Sequence, residues 1–264
     1  MDKITPLKNA AEKTSIWHRI SDFLLNISNI LEMLILILLW VLIFSNTGIL
    51  GGFTRQEIIA YILIGNTIGL ISGYFLHRLI AGDINDKSSK LLLYKPLKYF
   101  RHIMSASLGR NILPFAAALA LNLLFLYFFL DTIPINIEIA YIFTIIIMIV
   151  LAFIIEFLIA YIAKLFIFWT IESGRQYRLI VRIKKFLAGA YFPLTLLPPA
   201  LLSVSLILPF SYSFYVPTQL YLKKIDLHLG LQGLIVQIVW IMVLYAAIQI
   251  IWSQKIKKQM ENNK

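Results

Sequence analysis

FLAGAYFPLTLLPPALLSVSLILPF, Phe186 to Phe210, is apolar enough to cross a bilayer, yet one glycine and four prolines interrupt it. Proline lacks the backbone donor, and its ring clashes with the preceding turn, so no straight helix runs through this stretch undisturbed. In hydrocarbon every backbone group freed in this way needs another partner. Protein or water, rather than bare lipid, must therefore surround the segment, and the fold has to supply that enclosure.

The rest of the chain says what kind of fold this is. Its 264 residues are 60% hydrophobic and only 14% charged, whereas soluble domains carry about 25% charged residues. The reading is an all-α polytopic membrane protein forming a single transmembrane domain over 1–264. A net charge of +11 raises the question of nucleic acid, but that partner needs basic residues gathered on one solvated face. Here they alternate with apolar blocks, so no nucleic acid is expected. There are no cysteines, which removes disulfides, thiolate metal sites and a cysteine nucleophile. His18, His77, His102 and His228 are dispersed with no carboxylate at ligand spacing, so no metal site is expected. The opening MDKITPLKNAAEKTSIWHRISDF mixes acidic and basic residues and does not read as a cleavable signal peptide.

About 20 apolar residues cross the hydrocarbon, and six windows qualify, near 28–46, 57–80, 111–130, 139–163, 186–208 and 230–252. Lysine and arginine concentrate in cytoplasmic loops. Four precede the first window, seven lie in the second connection, six in the fourth and four in the tail, which leaves only Arg55, Lys223 and Lys224 opposite. Six spans with both termini cytoplasmic satisfy that distribution, in a cell (plasma or inner) membrane. Residues 8–27 set Ile16, Trp17, Ile20, Phe23, Leu24 and Ile27 near one helical face, as an interfacial helix on the inner leaflet does. A frayed polar leader is the alternative.

Several residues stand out within this frame. Gly65, Gly69 and Gly73 recur every four residues on the second span, a spacing that lets a neighbouring helix pack closely in lipid. Whether the neighbour belongs to the same chain is open. Glu156 lies inside the fourth apolar block, where a carboxylate is costly unless paired, protonated or facing water. It is a candidate for a polar pathway or for a helix contact. Asn66 and Asn122 pose the same question more mildly, and an interhelical hydrogen bond is the favoured answer. The connection 81–110 gathers Leu91, Leu92, Leu93, Tyr94, Leu97, Tyr99 and Phe100, which a solvated loop has no reason to hold together. Such side chains mark an interface or an amphipathic segment resting on headgroups. GxxxxGK[ST], GxSxG, HExxH and paired aspartates do not occur, so this chain has no nucleotide site or catalytic residue of its own.

The run from Phe168 to Pro217 resembles the membrane subunits of type-2 ABC exporters, in particular a bacterial branch of permeases. Phe168–Trp169, Gly189 with Pro193, Leu208–Pro209–Phe210, and Tyr215 with Pro217 carry the likeness. Gly82–Asp83 and the stretch from Leu91, Leu92 and Leu93 to Pro96 carry it in the second connection. The resemblance implies a permease that forms the translocation pathway of an export system. It implies as partners a separate ABC ATPase subunit, a second permease copy or paralogue, and the lipid membrane. ATP and Mg would reside on the ATPase and no cofactor on this chain. It implies coupling through Gly82, Asp83, Leu91, Leu92, Leu93, Tyr94 and Pro96. It also implies a fifth span that ends early and gives way over 186–217 to a re-entrant outer gate containing Gly189, Pro193, Pro198, Pro199 and Pro209. An ordinary kinked span is the alternative for that segment. For the whole chain the alternative is a channel or assembly scaffold without ATP coupling.

Overall fold

The computed structural model describes residues 24, 27–45, 48–73, 112, 115–129, 138–167 and 173–251, with backbone alone at Gly73, 163–167, 173–178 and 180. Residues 1–23, which hold most of the expected interfacial helix, and the whole connection 81–110 lie outside the described residues. Gly82, Asp83, Leu91, Leu92, Leu93, Tyr94 and Pro96 are therefore not placed.

The described architecture is helical apart from one two-stranded ribbon. Helix α1 is the apolar run Ile27–Ile43. Strands β1 (Ile49–Leu50) and β2 (Phe53–Thr54) pair antiparallel, Ile49 opposite Thr54 and Leu50 opposite Phe53. Gly51 and Gly52 close this hairpin with φ of 58° and 82°, the left-handed pair that a two-residue turn between twisted strands requires. Helix α2 (Arg55–Gly73) follows at once. Its start is a capping box: the Thr54 backbone N–H donates to Glu57 Oε2 (2.8 Å), and the Glu57 N–H donates to Thr54 Oγ1 (3.4 Å).

Ile58 through Ile64 are all buried. A helix buried on every side stands at the centre of its bundle, and the core gathers around this one, with Phe53, Tyr61, Met148, Leu194, Phe214 and Leu220 among its members. Helix α3 is Phe115–Phe128; α4 is Ile139–Ile167. The last long helix, α8 (Leu227–Ile251), forms its most extensive packing with α4. Ile139–Ile162 and Leu227–Ile251 are each long and apolar enough to cross a membrane. The apolar helices α1 and α3 are shorter.

The fifth expected window, 186–208, does not form one helix. Helix α5 is Ser173–Leu187, the basic segment that the charge pattern assigns to a connection. It ends because Gly189 takes φ 78°, and its last carbonyls are met by Gly189 N–H to Phe186 O (3.1 Å) and Ala190 N–H to Lys185 O (3.0 Å), the paired bonds of a Schellman cap. A short 3₁₀ turn, Leu194–Leu196, follows, and Leu197 and Pro198 are extended. Only then does α6 (Pro199–Ile207) begin, with Pro198 at its N-cap and Pro199 at its first position, where a missing N–H breaks no helical bond. A second 3₁₀ turn, Ser211–Ser213, leads into α7 (Tyr215–Tyr221).

The direction of this segment follows from its contacts. Thr195 Oγ1 donates to Gly51 O (3.1 Å), at the tip of the ribbon. Midway along α8, Trp240 Nε1 donates to Ile207 O (2.9 Å). The chain then returns: Leu220 lies against Gly230 near the start of α8, and Lys224 Nζ donates to Gly52 O (2.9 Å), back at the ribbon. Helix α6 leads in and α7 leads out, so the segment is a helical hairpin inserted into the bundle.

Candidate functional site

The hairpin is held by groups that apolar helices reserve for it. Tyr61, fully buried on α2, donates its hydroxyl to Gly189 O (2.6 Å), and Trp40 on α1 donates Nε1 to Tyr191 O (3.1 Å). Buried tyrosine and tryptophan keep one polar atom that needs a partner. Here that need fixes the irregular backbone that follows α5. At the inner turn Gln237, buried in α8, donates Nε2 to both Met148 O and Tyr212 O (3.0 Å each), tying α8, α4 and the hairpin tip together.

Glycines make the space. The Phe214 ring lies on α2 at Gly65 and Gly69, where a Cβ would stand 2.6 Å from its Cε1 and 3.2 Å from its Cδ2, respectively. The close approach expected at this four-residue spacing is therefore made by an aromatic ring of the same chain. Gly73 belongs to the same helix, and its surroundings lie outside the described residues. On α8, Gly230 and Gly233 admit Leu220 and Tyr212. Sequence reasoning does not single out this second pair, although GLQG on an apolar helix carries the signal of small residues.

Each expected gate residue falls at an element boundary. Gly189 caps α5; Pro193 precedes the first 3₁₀ turn; Pro198 and Pro199 open α6; Pro209 follows Leu208 at its end. Helix α7 is buried from Tyr215 through Leu220, so the outgoing arm is core. On the ingoing arm Leu201, Val204 and Ile207 are exposed, while Ser205 is buried.

Two lysine pairs bracket the hairpin, and each pair divides between two helices. Before it, Lys184 Nζ is 2.5 Å from Glu156 Oε2 on α4, and Lys185 Nζ meets Glu32 on α1 at 2.8 Å. After it, Lys223 reaches Glu138 at 3.1 Å, beside the start of α4, and Lys224 reaches Glu57 at 2.5 Å in the first turn of α2. Lys224 also lies over the Phe53 ring at 5.2 Å, and Lys223 over the Tyr141 ring at 5.7 Å. Glu156, singled out for lying in an apolar block, is thus buried and paired. Its partner Lys184 lies on α5, the helix that forms within the segment assigned by the charge count to the fourth connection. Glu32 is a functional candidate that sequence reasoning misses, although an acid inside an apolar window is a legible signal. Asn66 Nδ2 donates to Asn122 Oδ1 (3.1 Å), the interhelical bond expected of these residues.

Chemically, the arrangement offers positioning and ion pairing. Among the described residues no three histidines, cysteines or carboxylates gather where they could hold a metal. The shape is an apolar bundle with an inserted hairpin, suited to forming or closing a path. Neither the curated proteins nor the solved structures return a match to the chain. A family model described as ABC-2 family transporter protein matches residues 30–260, nearly the whole chain. The inserted hairpin, the two membrane-length helices and this match together lead to one conclusion: the chain belongs to the ABC-2 family of transporter proteins and is a permease of the type-2 ABC class.

Proposed function

We propose that the chain is the membrane-spanning permease subunit of an ATP-binding-cassette export system, forming the translocation pathway and driven by a separate ATPase subunit. The observation that carries this reading is the family match over residues 30–260. ATP and Mg act on the ATPase. The permease works in a plasma or inner membrane beside a second copy or a paralogue. Six spans leave both termini in the cytoplasm, and the hairpin enters from the outer side as the gate. Its contacts favour that role: α7 is sealed in the core, while α6 packs Leu202 and Leu206 against that core and turns Leu201, Val204 and Ile207 outward. A gate needs one fixed arm and one free face.

A ligand or nucleotide state moves a conformational equilibrium only through contacts that differ between the states. A permease without a nucleotide site of its own receives that bias at a surface, and the segment Gly82 to Pro96 is assigned this contact. Leu91, Leu92, Leu93 and Tyr94 form the buried anchors. Anchors carry most of an interface's energy, whereas rim charges mainly tune association. The test is pull-down of an ABC ATPase subunit co-expressed with this chain, with its hydrolysis rate measured in the same preparation. Leu92→Asp or Leu93→Asp is expected to release the ATPase, and Lys98→Ala to leave it bound. Retention of the ATPase by both leucine variants, at full activity, would remove the segment from the mechanism. If the wild-type chain captures no ATPase at all, a channel or scaffold without ATP coupling takes the place of this reading.

A further inference from the structure

The described side chains of α5 divide between an exposed apolar set and two lysines paired within the protein. Leu179, Ile183 and Phe186 face outward and are exposed, while Lys184 and Lys185 reach into the protein. Successive residues on a helix project about 100° apart, so the two ammonium groups address different neighbours: Lys184 the carboxylate of Glu156 on α4, Lys185 both oxygens of Glu32 on α1, at 2.9 and 2.8 Å. The pairs are unequal in shelter. The side chains of Lys184 and Glu156 are 21% and 7% exposed, those of Lys185 and Glu32 36% and 38%. Removing one partner of a sheltered pair strands a buried charge, whereas a half-exposed pair is screened and exchanges with water at little cost.

The packing of α5 sharpens the contrast. Its outer end is tied at Gly189 and Tyr191 by the Tyr61 hydroxyl and the Trp40 indole. Among the described residues its backbone does not pack closely along α2, α4 or α8. Beyond the fixed end, ion pairs on long lysine arms link it to α4 and α1.

We propose that α5 is a rod hinged at Gly189, anchored to α4 by Lys184–Glu156 and latched to α1 by Lys185–Glu32, with the latch as the pair that opens. Its part in transport rests on the permease reading; the latch itself is a property of this chain alone. Breaking the anchor weakens the fold. Breaking the latch frees α5 from α1 and leaves the fold intact.

The chain has no cysteines, so spin labels on Ile35→Cys in α1 and Leu179→Cys in α5, both at exposed positions, report the α1–α5 distance by pulsed electron paramagnetic resonance in liposomes. Lys185→Ala and Glu32→Gln are each expected to broaden the distance distribution at least about twofold, with a melting temperature within about 2 °C of the parent. Exchanging the charges, Glu32→Lys with Lys185→Glu, narrows it again. Lys184→Ala lowers the melting temperature by roughly 10 °C, and the exchange Glu156→Lys with Lys184→Glu recovers part of the loss. An unchanged distribution in Lys185→Ala overturns the latch. So does a loss of melting temperature in Lys185→Ala equal to that of Lys184→Ala, which would make both pairs structural. No ATPase takes part in the measurement, so these outcomes leave the permease reading standing. Failure of ATPase capture would remove that reading and leave the latch.

Discussion

At the scale of single residues, glycine and aromatic side chains set the hairpin's position. Gly65 has no Cβ because the Phe214 ring fills that space, while at Gly69 the same ring leaves 3.2 Å. Gly65→Ala must therefore displace a buried ring, and overpacking of this kind destabilises by about 1–3 kcal/mol. Gly69→Ala needs only a small shift of the ring, and its cost is expected to stay below about 1 kcal/mol. Thermal unfolding of the two variants in the same detergent checks the order; equal losses would mean that Phe214 does not seat as described. The four-residue spacing makes a close approach at these glycines legible in the sequence. The identity of the approaching group is not, because Phe214 lies far along the chain and only the tertiary fold brings it there. Glu156 shows the same division. Its need for a partner can be read from its setting, but Lys184 cannot be picked from the neighbouring lysines without knowing that α5 is a helix that turns Lys184 toward α4.

At the scale of elements, the places where helices stop are written locally and the faces they turn are not. Gly189, Pro193, Pro198, Pro199 and Pro209 all fall where an element begins or ends, as loss of a donor or need for positive φ dictates. The extent of α5 escapes a hydropathy window because the window averages over the helix circumference. A helix with lysines on one side and Leu179, Ile183 and Phe186 on the other averages to a polar loop. Pro198 and Pro199 test the break itself. Proline disfavours the helical region in the residue before it, and Leu197 is extended, at φ −76° and ψ 152°. Replacing both prolines by alanine lifts that restriction and restores conformational freedom to the unfolded chain, worth about 0.4–1 kcal/mol per site. The double variant is expected to insert and to bind the ATPase, with stability reduced by about 1–2 kcal/mol and transport reduced, since the 3₁₀ turn and α6 can then merge and draw Thr195 from Gly51. Transport at the parent rate by the double variant would show that this break is not needed for gating.

At the scale of the whole molecule, one arrangement of charge orders the bundle. Arg55, Lys223 and Lys224 stand apart from the other basic residues in the sequence, and the structure gathers them at one end, where the ribbon, the start of α2 and the end of α7 meet. Lys223 and Lys224 are held there by Glu138 and Glu57, so this end is cross-tied where the hairpin leaves the core. If the positive charge of the long connections keeps them in the cytoplasm, this cross-tied end faces outward, and the hairpin enters from outside. The chain offers a clean assay because any introduced cysteine stands alone. Lys223→Cys, with its side chain 41% exposed in the parent, is expected to react with an impermeant maleimide in intact cells. Ser88→Cys, in the second connection, is expected to react only after permeabilisation. Reaction of both from outside would place an even number of crossings between them, where the proposed topology requires three, and would overturn the six-span arrangement. Reaction of Lys223→Cys only after permeabilisation would turn the hairpin toward the cytoplasm and leave an outer gate without physical basis.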